Sequence, residues 1–202
     1  MKFYNAGAGN PRRVRIFIAE KGLNIPRVDI DFSKKDNQTP EFLKLNSLGE
    51  VPILELDDGT AISESTAICR YLESQHPDPA LFGTNNKEIA HIEMWDRRIE
   101  FHIFAVMSNI VRHEVEFFAD KVEQVPEYAA TQRRYIHKKW AWLNSEMADG
   151  RPYIAGNRFS IADITAMAAL MASDWLKVSP KPELEHVSRW SEAIRNRDSW
   201  SA

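Results

Sequence analysis

Up to about residue 80 short apolar runs alternate with helical patterns, and beyond it apolar residues recur at helical spacing throughout. Lys2 to Tyr4 reads as a strand. Asn10 to Lys21 carries Val14, Ile16, Phe17, Ile18 and Ala19 and runs out at Gly22, a residue suited to the left-handed turn that ends a helix. Arg27 to Phe32 alternates Val28, Ile30 and Phe32, a strand pattern. Thr39-Pro40-Glu41 opens a short helix with proline in its first turn. Val51 to Leu56 is apolar and β-prone, Asp57-Asp58-Gly59 makes a hairpin turn, and Thr60 to Ile62 is the return strand. From Ser63 a helix directs Ala67, Ile68, Tyr71 and Leu72 inward and stops before Pro77.

This order predicts a parallel strand pair joined through a helix, then an antiparallel hairpin and a closing helix, an α/β sandwich of thioredoxin type. His76-Pro77-Asp78-Pro79 breaks the pattern and announces a linker. Everything beyond reads as helix: Glu88 to about Phe118, Pro126 to Met147, a segment opening at Ser160 and running through Trp175, and a last one with Val187, Trp190 and Ile194. Ser160-Ile161-Ala162-Asp163 has the form of a capping box with Asp in the usual Glu/Gln place, and Phe159 before it can staple onto Ile164. The chain therefore divides into a thioredoxin-like domain over 1–80, a linker over 81–86 and an all-α helical domain over 87–202.

Composition narrows the function classes. With 44% apolar and 27% charged residues over 202 positions, the chain can bury a core, which excludes a disordered tail and a peptide-sized disulfide scaffold. The longest small or apolar stretch, Ala166 to Ala172, is far short of the ~20 residues of a membrane span. Met1 leads directly into Lys2-Phe3-Tyr4, so no signal peptide is read. A single cysteine, Cys69, on the apolar side of its helix, suits an inert thiol and a reducing cytoplasm. Lys and Arg number 26 against 29 Asp and Glu, and the net charge of −3 argues against general nucleic-acid binding. The cluster Arg12, Arg13 and Arg15 reads as a solvated helix face. No metal-ligand spacing and no phosphate loop are present.

Four motifs in register resemble the glutathione S-transferase family over nearly the whole chain. They are Asn10 to Gly22 in the first helix, Gly49-Glu50-Val51-Pro52-Ile53-Leu54, Ile62-Ser63-Glu64-Ser65-Thr66-Ala67-Ile68-Cys69-Arg70-Tyr71-Leu72, and Tyr153-Ile154-Ala155-Gly156 with Phe159 to Asp163. The resemblance implies a cis Pro52 that exposes the N–H and C=O of Val51 to a peptide ligand, strand to strand. It implies glutathione as co-substrate, with no tightly bound cofactor. Glu64-Ser65 opens a helix, where free N–H groups and the dipole attract a carboxylate; Ser65 adds a hydroxyl and Glu64 accepts from an ammonium. That combination suits the α-amino, α-carboxylate end of glutathione, against the alternative of a plain helix cap. By register Asn37, with Lys35 and Gln38 beside it, meets the glycine end or else belongs to a solvated loop. The family counterpart of Asp96 reaches across a dimer interface towards the amino end, which implies a homodimer.

The thiol end departs from the family. Its chemistry needs a thiolate, and a free thiol of pKa about 8.5 is mostly protonated at neutral pH. The family's serine position is Ala8 here and its cysteine position is Asn10, while Tyr4 reads as a packed strand residue. Gly7 and Gly9 permit close backbone approach, and Asn10 at the helix start can donate to sulfur through its N–H and its amide, as in a bacterial class this chain resembles. The atypical fungal type, which it also resembles, uses a water held by the long central helix. There His102, Val106, Asn109 and His113 recur at +4, +3 and +4 with Ser108 adjacent, a lined cleft or else a set of satisfied structural side chains. Asn10, His102, Ser108 and His113 are thus the catalytic candidates, and Ala8, Val106 and Asn109 those for the electrophile pocket. The expectation is a cytoplasmic, homodimeric transferase joining glutathione to a small apolar electrophile held between the domains. Glutathione-dependent disulfide reduction, peroxidase or isomerase chemistry, and a non-catalytic glutathione-binding module, remain as alternatives.

Overall fold

The computed structural model describes residues 1–7 and 9–202, which form two compact units, Met1–Leu81 with Asp198–Ala202, and Phe82–Arg197. The first unit holds a four-stranded sheet in the order β2-β1-β3-β4. Strand β1 (Lys2–Asn5) runs parallel to β2 (Arg27–Asp29) and antiparallel to β3 (Ile53–Glu55), which pairs antiparallel with β4 (Ala61–Ser63). Helices α1 (Gly9–Glu20), α2 (Pro40–Leu45) and α3 (Ser65–Gln75) complete the thioredoxin-like arrangement. Phe3 and Leu54, opposed in the β1–β3 ladder, are buried with Val14, Ile16 and Phe17 of α1 and Ile68 and Leu72 of α3. The core therefore lies where two helical stripes meet one sheet face.

Two boundaries differ from the sequence reading, each for a local reason. Strand β2 ends at Asp29, not Phe32, because the Asp31 carboxylate accepts from the Ser33 N–H at 2.9 Å and starts a single 3-10 turn over Phe32–Lys34. Helix α3 begins at Ser65, because Ser63 is still paired with Ile53, and the helix turns Ala67 out to solvent while burying Ile68, Cys69 and Leu72.

The breaker segment after α3 is fastened down. The Lys21 ammonium, with a fully buried side chain, donates to the carbonyls of His76 at 2.7 Å and Pro79 at 2.6 Å and pairs with Glu73 at 2.5 Å. Glu73 in turn accepts from the Leu81 N–H at 2.9 Å. The last residues return to the same unit: Arg12 donates to the Trp200 carbonyl at 2.8 Å, and Ser199 to Glu20.

The second unit is all-helical, with α4 (Asn86–Ile99), α5 (Ala105–Glu114), α6 (Pro126–Glu146), α7 (Ile161–Trp175) and α8 (Glu185–Arg195). Helix α7 is its centre: every residue from Ile161 to Leu170 is buried. Its start is the capping box read from sequence, Ser160 with Asp163, and Asp163 also accepts from the Ile154 N–H and the Trp190 indole, both at 2.9 Å. The single helix read over Glu88–Phe118 is instead broken by a π turn at Glu100–Phe104. Among the described residues no helix is long and apolar enough to cross a membrane.

Candidate functional site

Strand register alone gathers the first set of candidates. Ile53, the first residue of β3, pairs with Ser63, the last of β4, and with Tyr4 near the end of β1. Asn5, the last of β1, pairs with Asp29, the last of β2. Val51-Pro52, Glu64-Ser65, the turn leading to Asn10, and the loop carrying Lys35, Asn37 and Gln38 therefore leave one and the same edge of the sheet. The Val51-Pro52 peptide is cis, and Val51 precedes the first ladder pair of β3, so its main chain takes no part in the sheet.

Helices α1 and α3 both start at this edge, and their N-termini are joined by a side chain. Arg13 is 2% exposed and its Nη1 donates to Ser65 Oγ at 2.7 Å, with Thr66 Oγ1 at 3.3 Å. Ser65 itself is 4% exposed. The residue before it, Glu64, is the N-cap of α3 and has φ +68°, a left-handed value that costs a non-glycine residue of order 1–3 kcal/mol and persists only where surroundings enforce it. Its carboxylate is exposed and makes no capping bond. An exposed carboxylate beside unpaired helix N–H groups can take an ammonium and a carboxylate side by side.

The loop on the other side of Val51 is braced from within. Asn37 Nδ2 donates to the Gly49 carbonyl at 2.7 Å, and Asn46 Nδ2 to the Glu50 carbonyl at 2.9 Å. Gly49 sits at φ +64°, where a Cβ would lie 2.7 Å from Gln38 Nε2 and 3.1 Å from the Asn37 carbonyl, so any other residue is strained there. Asn37 thus commits one amide hydrogen to the loop and keeps the other. Lys35 and Gln38 are exposed.

At the thiol end Asn10 is exposed in the first turn of α1, and Ala8 lies outside the described residues. Tyr4 is a packed strand residue: its ring meets Phe42 edge-on at 6.1 Å and its hydroxyl donates to Glu55 at 2.7 Å. Burial and the Glu55 carboxylate push its pKa up to about 12, so it stays protonated and directed at Glu55.

The candidates in the helical unit do not form the single face that their spacing implied. The π turn at 100–104 inserts a residue into the helical register between His102 and Val106. His102 is exposed and packs its ring against Trp142 at 5.8 Å, whereas Val106 is buried. Partial desolvation against its neighbours, with Lys139 and Arg98 nearby, holds the His102 imidazole below its ordinary value. Asn109 donates to the Tyr128 hydroxyl at 3.2 Å, and His113 Nδ1 accepts from the Val125 N–H at 3.1 Å with its ring against Tyr128. His113 therefore secures the start of α6. Ser108 is half-buried. Asp96 contradicts its expected reach to a ligand: it is 0% exposed, and its two oxygens accept from Thr165 Oγ1 at 2.5 Å and Arg97 at 2.9 Å. A carboxylate enclosed in its own unit is not available to a ligand or a second copy.

The basic cluster of α1 is also corrected. Rather than a solvated face, Arg13 is buried, Arg12 reaches the Trp200 carbonyl, and Arg15 donates to Asn5 Oδ1 at 2.6 Å and to the Ala6 carbonyl at 3.0 Å, bracing the turn after β1. Helical spacing carried the missed signal: Arg13 lies three and four residues before Ile16 and Phe17, on the apolar stripe. Among the described residues no group of three or more His, Cys, Asp or Glu could hold a metal ion.

Comparison with known proteins gives the family. The profile of the glutathione S-transferase N-terminal domain matches residues 10–75, and that of the C-terminal domain matches residues 94–198. Glutathione S-transferase 2 of Saccharomyces cerevisiae is 35% identical over 204 residues, covering 98% of this chain and 87% of that protein. A solved glutathione S-transferase domain-containing protein of Marinobacter aquaeolei VT8 superposes with a TM-score of 0.92 at 33% identity, over 99% of this chain and 100% of that one. Elongation factor 1-gamma 2 of Oryza sativa subsp. japonica is 29% identical over 97% of this chain, which spans 46% of that longer protein.

Proposed function

The chain belongs to the glutathione S-transferase family, and from that premise we propose that it binds glutathione along the shared sheet edge and transfers the thiolate to a small apolar electrophile. The observation that carries this reading is the Ile53–Ser63 pairing, which sets the free main chain of Val51 beside the Glu64–Ser65 helix start. Val51, held by Pro52, pairs with the cysteinyl backbone of the tripeptide. The α-carboxylate meets Ser65 and the N-terminus of α3, and the α-ammonium meets Glu64. Lys35, Gln38 and the remaining amide hydrogen of Asn37 serve the glycine carboxylate.

Asn10 donates to sulfur and, with the α1 dipole, favours the thiolate over the thiol. His102 and Ser108, through a water, are the rival donors. The thiol proton passes to solvent. The sulfur electron pair forms the new C–S bond, and the displaced group leaves with its bonding pair. Catalysis rests on thiolate stabilisation and proximity, with no protein nucleophile. A cytoplasmic homodimer belongs to the same reading.

Titration calorimetry with reduced glutathione, followed by ultraviolet titration of the bound thiolate and turnover of an aryl halide, tests the proposal. Binding with thiolate formed below the free thiol's value of about 8.5 is the expected result. No heat of association overturns it. The likeness to an elongation factor favours a second reading, a binding module without chemistry, which predicts glutathione binding or none and an unshifted thiol. Faster reduction of a glutathionyl disulfide than conjugation of the halide points instead to the reductase alternative.

A further inference from the structure

Arg13 has no role in the binding scheme above, yet it is the most enclosed charged side chain at the proposed site. Its guanidinium donates to Ser65 Oγ at 2.7 Å. A serine hydroxyl has one proton and two lone pairs. Among the described residues Ser65 Oγ has this one hydrogen-bond partner, and it is the acceptor in that bond. Its own proton is therefore turned away from Arg13 and has no protein acceptor, although the residue is 4% exposed. A buried donor left without an acceptor is unfavourable by about 1–3 kcal/mol and is relieved when an acceptor arrives.

We propose that Arg13 is a positioning residue: by holding the Ser65 oxygen from behind, it fixes the hydroxyl as a donor and so makes the start of α3 selective for an anionic carboxylate. Without Arg13 the hydroxyl can rotate and accept, and the subsite no longer distinguishes a carboxylate from a neutral or donor group. The guanidinium also polarises the O–H bond, and a hydrogen bond donated by an already donated-to hydroxyl is stronger. The enclosure of Arg13 keeps that polarisation from being screened by water. This inference rests on the proposed glutathione reading, and it assigns Arg13 no contact with the ligand.

The test is a double-mutant cycle read with two ligands, glutathione and γ-aminobutyryl-cysteinyl-glycine, which lacks only the α-carboxylate. Arg13→Met should weaken glutathione binding about tenfold and change the binding of the decarboxylated tripeptide less than about twofold. In a Ser65→Ala background the same substitution should weaken glutathione binding less than about threefold. Arg13→Lys, which keeps a cationic donor behind the serine, should bind glutathione within about threefold of the parent. Equal weakening of both ligands, or equal weakening with and without the Ser65 hydroxyl, overturns the proposal and leaves Arg13 a purely structural residue. If Arg13→Met does not fold, Arg13→Gln, which removes the cation and keeps much of the volume, takes its place in the cycle with Ser65→Ala: coupling below about twofold overturns the proposal. A parent that binds glutathione while Arg13→Met binds it as well sinks this inference alone. A parent that does not bind glutathione sinks the functional reading along with it.

Discussion

The two units bury polar groups in opposite ways. In the helical unit Asp163 is wholly enclosed and takes four donors, the N–H groups of Ile154 and Ser160, the Ser160 hydroxyl and the Trp190 indole. Asp96 is enclosed with Thr165 and Arg97. Both carboxylates are bonded within their own unit, Asp163 to its full complement of donors. In the first unit Ser65 is just as enclosed but has a proton to spare, and Val51 and Glu64 carry groups that no ladder or cap engages. Burial of a polar residue therefore says little by itself. What separates a structural carboxylate from a recognition hydroxyl is whether its hydrogen-bonding capacity is exhausted.

Substitutions can break this contrast, and the largest effect belongs to the exhausted group. Asp163→Ala leaves three buried N–H donors without an acceptor and should cost about 3–5 kcal/mol in urea unfolding, with glutathione affinity in the folded fraction unchanged. A loss of affinity larger than the loss of stability predicts would erase the distinction between the units.

The same residue sets a pH dependence. Burial pushes the Asp163 carboxyl up from 3.8 to about 6, against the pull of its four donors. Below about pH 4 both folded and unfolded chains hold the proton; between about 4 and 6 only the folded chain does. Stability from this group therefore falls as pH rises through that window, by up to about 3 kcal/mol, and levels off above 6. The Asp163→Asn curve should lack that slope when compared with the parent by denaturation across the range.

Gly49→Ala places a side chain at a left-handed φ and against the Asn37 carbonyl, and should cost about 1–2 kcal/mol. Because the strain falls on the loop next to Val51, glutathione affinity should drop with it, which calorimetry reads directly. The smallest expected change sharpens the thiol end: Asn10→Ala should raise the bound thiol's pKa by about one unit, equivalent to about 1.4 kcal/mol. A mutant that titrates like the parent moves the donor to His102, Ser108 or a water they hold.

Sequence carried much of this. The β1–α1 start, the Asp57–Gly59 hairpin and the Ser160–Asp163 box were readable because period, turn chemistry and caps agreed locally. The end of β2 was not, because Asp31 competes for the backbone just where the alternation continues to Phe32. The π turn was also hidden: an inserted residue leaves the apolar composition of 99–110 intact and shifts only the register. Within the site, Val51-Pro52 and Glu64-Ser65 are legible as motifs, whereas the charge of Arg13 masks its place on the apolar stripe. Asp96 is the reverse case, because its partner Thr165 lies 69 positions away and no local pattern announces it.

Arg13 lies on α1 and Lys21 directly follows its last residue, eight positions or about 12 Å further along the axis. One grips α3 at its first residue and the other grips Glu73 near its end and the carbonyls just beyond. Fastened at two points, the two helices form a splint that can neither slide nor swivel on each other. A peptide arriving at Ser65 would meet a pre-set cradle, and its residence time should depend on the guest's own flexibility much more than on any settling of the host.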